Sequence, residues 1–386
     1  MAKEYVIDIQ GQATRYSDQI RDIRMYFAEP ETETEECNGV LLLIAGYGGH
    51  GMSRVYQKMR KQFADQYHFF TVQCDYLGYR YMQTDHHLAV TEDMLRQVLS
   101  PREFHSLRRD YAANQHLLSG KILSGYISLG ESEEDYNEMG LGQAMDNLVA
   151  VKVLLDILQE NGMEYNQNRV YIYGQSHGAY LAYLCNILAP GLFTGIIDNS
   201  AYLLPYYLEH DREVTKVGDI FTLQKWYHYL ISDQNWDPGS YDLRELYAGY
   251  HGRAQIIVYH GAEDEMIPIE EKKAFLETLP RVSLHVVTKD QVDGVIFRSA
   301  GHSLDADLIK VFERAIEELD GAGETETMAV EDAAMEVGEQ DIADRSETGG
   351  RQQVFQNYSF QTKRYQYEVD WDRGGYLRIQ LIDTVL

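Results

Sequence analysis

The residues with the clearest capacity for covalent chemistry lie in VYIYGQSHGAYLAYL, where Ser176 stands at the centre of a G-x-S-x-G pattern running from Gly174 to Gly178. A short apolar run precedes the pattern and a helical one follows it. A serine so placed sits on a tight strand-to-helix turn, and the glycines two positions away are needed because bulkier side chains would collide across that turn. The turn also sets the hydroxyl at the positive end of a helix, where negative charge developing near its oxygen is stabilised. A serine hydroxyl is a weak nucleophile at neutral pH. It needs a base with a pKa near 7 and a carboxylate that fixes the tautomer of the base. Both residue types occur further along. Asp264 falls in the loop that leaves the apolar strand IIVYHG, at the carboxyl edge where open α/β sheets present ligand-facing groups. His302, in FRSAGHSL, lies between small residues shortly before a helical stretch from Asp305 to Leu319, and a loop histidine there can reach the same edge.

These side chains must be carried by strands and helices, and the apolar pattern predicts them. Residues 4 to 10 and 21 to 29 alternate apolar and polar side chains around a polar turn, as an edge hairpin would. Val40 to Ala45, Phe69 to Cys74 and Val170 to Tyr173 are short, rich in β-branched or aromatic residues, and read as buried parallel strands. Gly195 to Ile197, Ile256 to Tyr259 and Ser283 to Val287 extend the series. Helical patterns fall between them at Gly142 to Leu158, Ala179 to Leu188 and Glu270 to Leu279. The expected fold class is α/β, a doubly wound and mostly parallel sheet over residues 1–320. Two insertions, about 91–140 and 202–252, are expected to form helical caps over the sheet edge. Residues 321–350 hold nine acidic residues and one basic one, the composition of a solvated linker. Residues 351–386 alternate like strands around Arg373, Gly374 and Gly375, which suggests a small C-terminal β extension.

The chain order Ser176, Asp264, His302 and the phrases HGAEDEMIP and AGHSL resemble signatures of the α/β-hydrolase superfamily, over roughly Val40 to Leu319. The resemblance implies a Ser-Asp-His triad and a central, mostly parallel sheet. It also offers Asp198, in IIDNSA, as an alternative acid, because some members place the carboxylate after that earlier strand. The oxyanion hole implied by the resemblance uses two backbone N–H groups, one from the residue after the nucleophile, His177, and one from the turn AGYGGHG, where Tyr47 is the donor by position. That turn is similar to the family's His-Gly-x-Gly segment but departs from it at Ala45, which leaves open what supports the loop. Within this superfamily, the stretch from Leu41 to Tyr79 is similar to an uncharacterised bacterial hydrolase-like family associated with surface-sugar or flagellar loci, which points toward carbohydrate esters.

Composition excludes several other classes. A formal charge of -27 and the lack of a basic stripe argue against nucleic acid and anionic membranes, and favour a neutral or cationic substrate over a polyanion. No apolar run approaches a membrane span and the N-terminus lacks a secretion signal, so a cytoplasmic location is expected. The three cysteines, Cys37, Cys74 and Cys185, fit free thiols in a reducing compartment. Asp85, His86 and His87 lack a second ligand cluster, and the glycines from Gly46 to Gly51 fit neither a Walker loop nor a complete dinucleotide fingerprint; no metal or cofactor is expected. His50 and the His177 side chain are read as packing or solvent contacts. Thirty tyrosines are present, and Tyr202, Tyr206, Tyr207, Trp226, Tyr227 and Tyr229 cluster in the second insertion, where rings can stack on a sugar or simply pack. The expected function is hydrolysis of a small-molecule or carbohydrate ester through an acyl-serine. A peptidase or amidase would use the same triad, and a catalytically silent binding or assembly protein would use the tyrosine-rich cap or the C-terminal unit.

Overall fold

The computed structural model describes residues 2–11, 20–31, 38–83, 90–234, 236–323, 358–361, 365–371 and 377–384. Cys37, the triplet Asp85, His86 and His87, and most of the acidic stretch (324–350) lie outside the described residues.

Eight strands form the central sheet. In chain order they are β1 (Lys3–Gln10), β2 (Asp22–Glu29), β3 (Gly39–Ile44), β4 (Phe69–Cys74), β6 (Val170–Gln175), β7 (Gly195–Asn199), β10 (Gln255–Gly261) and β11 (Val282–Val287). Across the sheet the order is β1-β2-β4-β3-β6-β7-β10-β11. β2 pairs antiparallel with β1 and β4, and every pairing from β4 to β11 is parallel. The expected hairpin is β1–β2, with Lys3 opposite Glu29 and Gln10 opposite Asp22.

β3 and β4 are buried at every position. Helices cover both faces, so β3 is an unbroken apolar run, while in β4 the buried Thr71 and Gln73 hydrogen-bond to Arg60. Val40, Leu42 and Ile44 face α5 (Leu141–Glu160), α6 (His177–Leu188) and α8 (Ile269–Leu276), packing with Leu148, Tyr180 and Phe275. Leu41 and Leu43 face α1 (Arg54–Tyr67) and α9 (Leu308–Gly323), with Phe63 stacked on Phe312 at 3.9 Å. Each such fully buried side chain contributes roughly 1.5–3 kcal/mol. This is an α/β-hydrolase fold, with Ser176 on the turn between the parallel strand β6 and helix α6.

Helices make up only part of the cap. The first insertion contributes α2 (Glu92–Val98), α3 (Pro101–Arg109) and α4 (Tyr111–Asn114), and α3 starts at a capping box between Ser100 and Glu103. It also supplies β5 (Ile122–Ile127), which pairs parallel with β9 (Thr222–Tyr227) of the second insertion, while β8 (Arg212–Val217) pairs antiparallel with β9. The second insertion is therefore largely a β-hairpin with short 3-10 turns and one helical turn, α7 (Leu243–Leu246). Its strands REVTKV and TLQKWY have the β-branched and aromatic content that favours a pleated surface, and Leu123 and Leu223 bury against Met94 and Phe104 beneath them. At the C-terminus, β12 (Tyr358–Gln361), β13 (Tyr365–Trp371) and β14 (Leu377–Thr384) form a separate antiparallel sheet. No helix among the described residues is long and apolar enough to cross a membrane.

Candidate active site

Ser176 occupies φ 53°, ψ -119° between β6 and α6. A non-glycine residue held at positive φ costs on the order of 1–3 kcal/mol and persists only where its surroundings enforce it. Here they do so from two sides. The Ser176 N–H donates to the Asn199 carbonyl at the end of β7 at 2.7 Å, and the Ser176 carbonyl accepts from the N–H groups of Ala179 and Tyr180. A Cβ on Gly174 would fall 2.3 Å from the Gly178 carbonyl oxygen, and one on Gly178 would fall 2.2 Å from that of Ile44. The glycines therefore let the start of α6 lie against both β6 and β3.

The structure brings Ser176, His302 and Asp264 together. Ser176 Oγ is 2.7 Å from His302 Nε2, and His302 Nδ1 is 2.8 Å from Asp264 Oδ2. The other carboxylate oxygen of Asp264 accepts from the N–H groups of Met266 at 2.9 Å and Ile267 at 3.1 Å. Burial by itself would raise the Asp264 pKa; the hydrogen bond and charge of His302, with help from His260 and the Ile267 N–H, outweigh it and hold the carboxyl below its usual range. With Nδ1–H given to Asp264, Nε2 is left to accept the serine proton. The histidine loop is pinned by the Ser303 N–H, which donates to Ser200 Oγ at 3.1 Å, and by the buried Leu304. The His302 side chain keeps 19% of its surface exposed, enough for a substrate to meet it.

Asp198 is committed elsewhere. Its carboxylate binds the buried Lys272 ammonium at 2.7 Å, the Tyr183 hydroxyl at 2.9 Å and the Ala201 N–H at 2.7 Å. Of the two acids that follow strands in this region, His302 meets Asp264.

The turn after β3 lies directly beside Ser176: a Cβ on Gly46 would sit 2.5 Å from the Gln175 carbonyl oxygen and 3.4 Å from Ser176 Cβ. The N–H groups of Tyr47 and His177 have no hydrogen-bond partner among the described residues. Their side chains, by contrast, are joined. His177 Nε2 lies 2.6 Å from Gln143 Oε1, Gln143 Nε2 donates to Asn137 Oδ1 at 2.8 Å, and Asn137 Nδ2 donates to the Tyr47 hydroxyl at 2.9 Å. Burial pushes the His177 pKa down to about 3, so the ring is a neutral structural group. The His177 reading as a packing residue agrees with this burial. His50 is half-buried, with its ring 6.4 Å from that of Tyr79. Loop support at Ala45 comes from Tyr76, whose hydroxyl donates to the Ala45 carbonyl at 2.5 Å.

Tyr202, read from sequence only as one of a cluster, lies closest to the chemistry. Its hydroxyl is 3.2 Å from Ser176 Oγ, its ring is parallel to His302 at 5.5 Å, and burial raises its pKa, keeping the phenol protonated. Its only sequence signal is position, in the loop leaving the strand after the nucleophile strand.

The sequence profile of a family described as "Protein of unknown function (DUF2920)" matches residues 121–320. The chain belongs to the DUF2920 family. The matched segment contains Ser176, Asp264, His302 and Tyr202, while the Tyr47 turn precedes it. No match was found among curated proteins. Among solved structures, the chain is similar to Est1E from Butyrivibrio proteoclasticus with ferulic acid bound, at 14% identity, with 78% of this chain and 95% of that one covered and a TM-score of 0.43. It is also similar to an acylaminoacyl peptidase from Pyrococcus horikoshii, at 13% identity, 83% and 41% coverage and a TM-score of 0.45. A dienelactone hydrolase from Anabaena variabilis gives 11% identity, 83% and 96% coverage and a TM-score of 0.41.

Proposed function

We propose that this protein is a serine hydrolase that cleaves a carboxylic ester of a small molecule or carbohydrate through an acyl-Ser176 intermediate. The observation that carries the reading is the continuous relay Ser176 Oγ–His302 Nε2 at 2.7 Å and His302 Nδ1–Asp264 Oδ2 at 2.8 Å. In the first half-reaction Ser176 Oγ attacks the ester carbonyl carbon while His302 Nε2 takes its proton, and Asp264 stabilises the imidazolium. The N–H groups of Tyr47 and His177 receive the oxyanion, each such donor typically contributing about 3 kcal/mol to the transition state. Collapse breaks the ester C–O bond, and His302 returns the proton to the departing alcohol. Water, deprotonated by His302, then attacks the acyl-enzyme and releases the acid and Ser176. Each step uses side chains, backbone N–H groups and water. Buried Cys74 and Cys185, both free thiols whose pKa burial raises, fit a cytoplasmic setting.

Matched p-nitrophenyl acetate and acetyl p-nitroanilide test the reading. Ester turnover abolished in Ser176→Ala and His302→Ala, with the anilide slower, is the expected result. Faster anilide turnover would make the protein an amidase or peptidase, and no turnover of either by a folded wild type would favour the binding protein.

A further inference from the structure

Arg212 opens β8 in the cap and is only 7% exposed. A buried guanidinium is ordinarily matched by a carboxylate, since an uncompensated internal charge is strongly destabilising. Arg212 has no acidic partner at ion-pair distance among the described residues; its neighbour Asp211 is turned to His228 at 2.6 Å. The guanidinium instead donates to the Met82 carbonyl at 3.0 Å and lies over the Tyr47 ring at 4.7 Å. The hydroxyls of Tyr207 and Tyr229 adjoin it. Tyr229 is 1% exposed; its hydroxyl faces the donors of Arg212 and Tyr47, and no described residue accepts its own proton in good geometry. A cation without a carboxylate and a hydroxyl whose own proton finds no acceptor among the described residues thus meet in one buried place.

That place borders the catalytic centre. Tyr47, whose backbone lies in the oxyanion turn, packs its ring against Tyr207 at 4.9 Å and His177 at 5.6 Å, and Arg212 acts electrostatically on Tyr202, the neighbour of Ser176 Oγ. We propose that Arg212, with the Tyr207 and Tyr229 hydroxyls, binds a carboxylate carried by the substrate itself, so that the ester turned over at Ser176 is a monoanion. The proposal rests on the hydrolase reading of Ser176. The planar guanidinium matches a carboxylate with two parallel N–H···O bonds. A neutral substrate would leave the cation unbalanced, and a phosphate dianion would leave one negative charge over in a buried site. The net charge of -27 points to a neutral or cationic substrate, but it acts from the surface, where salt screens it beyond about 10 Å; the buried cation decides recognition at contact.

Two pairs of esters test this, one placing the charge on the acyl side and one on the alcohol side: p-nitrophenyl hydrogen glutarate against its methyl ester, and 4-carboxyphenyl acetate against 4-carbamoylphenyl acetate. In one pair the wild type should favour the carboxylate member, and Arg212→Gln should reduce that kcat/KM ratio by about 10- to 100-fold. Arg212→Lys, which keeps the charge and loses the fork, should fall between them, and it carries the test if Arg212→Gln does not fold. Ratios unchanged by both variants would overturn the proposal. Thermal melts with glutarate or glutaramide supply a readout independent of turnover. If no ester is cleaved, the hydrolase reading fails, and glutarate then decides the anion site: a rise in Tm for wild type and not for the Arg212 variants supports it, and equal or absent responses overturn it.

Discussion

Under the proposed mechanism Ser176, His302 and Asp264 each have one duty that the others make possible. Asp264 would fix the tautomer, so Asp264→Asn should lower kcat by about 10³–10⁴ with little change in KM, because the imidazole would then present the wrong nitrogen to Ser176. Steady-state kinetics on one activated ester check this. Lys272→Met should act differently, leaving Asp198 buried without its cation and lowering stability by roughly 3–5 kcal/mol in a denaturant melt. Ser176, Asp264 and His302 were readable in the sequence because each falls at a recognisable place beside a strand or helix. The sequence favoured Asp264 and kept Asp198 as the alternative, since both acids follow strands; the partner that occupies Asp198 is Lys272, 74 residues away, which no local pattern announces. Tyr76, Gln143 and Asn137 were hidden for the same reason: their partners are set by how distant segments meet.

The starts of α5 and α6 meet beside the turn after β3 and carry two buried titratable groups of opposite effect. His177, at the start of α6, is held neutral down to about pH 3 by burial, whereas the unfolded chain would protonate it near 6.5. The unfolded state therefore binds more protons between those values, and this contribution to stability is lost as pH falls below 6.5. Glu138, beside the start of α5, is pushed up to about 7 by burial, although the Tyr241 hydroxyl and the N–H groups of Gly140 and Gly142 oppose the shift. Here the folded state binds the extra proton, and the contribution is lost as pH rises from 4.5 through 7. Between about pH 4.5 and 6.5 the two slopes, each about 1.4 kcal/mol per pH unit, oppose one another. His177→Gln should make stability fall more steeply with rising pH in that window, and Glu138→Gln should make it rise more steeply; urea melts at several pH values check both signs. Within the same framework Gly178→Ala, whose new Cβ would meet the Ile44 carbonyl, should cost at least about 1–3 kcal/mol. The parallel core strands were legible as apolar runs bounded by turns. The small sheet of the cap was not, because β5 pairs with β9 about a hundred residues later, Ile122 opposite Thr222, and no local pattern announces such a partner.

For the whole molecule, charge and architecture act in different ranges. A net charge of -27 repels itself, so raising NaCl from ~10 to ~200 mM should raise Tm by screening that repulsion; a salt-independent Tm would show that local pairings already balance it. The fold sets Ser176, His302, the turn after β3 and Arg212 around one edge of the sheet, beside segments of both insertions. The proposed mechanism requires an activated serine at this edge. Treating the purified protein with a fluorophosphonate and reading its intact mass, beside Ser176→Ala and His302→Ala, tests it most directly. One adduct on the wild type, absent from both variants, is the predicted result; a folded wild type that stays unlabelled, or a Ser176→Ala variant that labels equally, would contradict it.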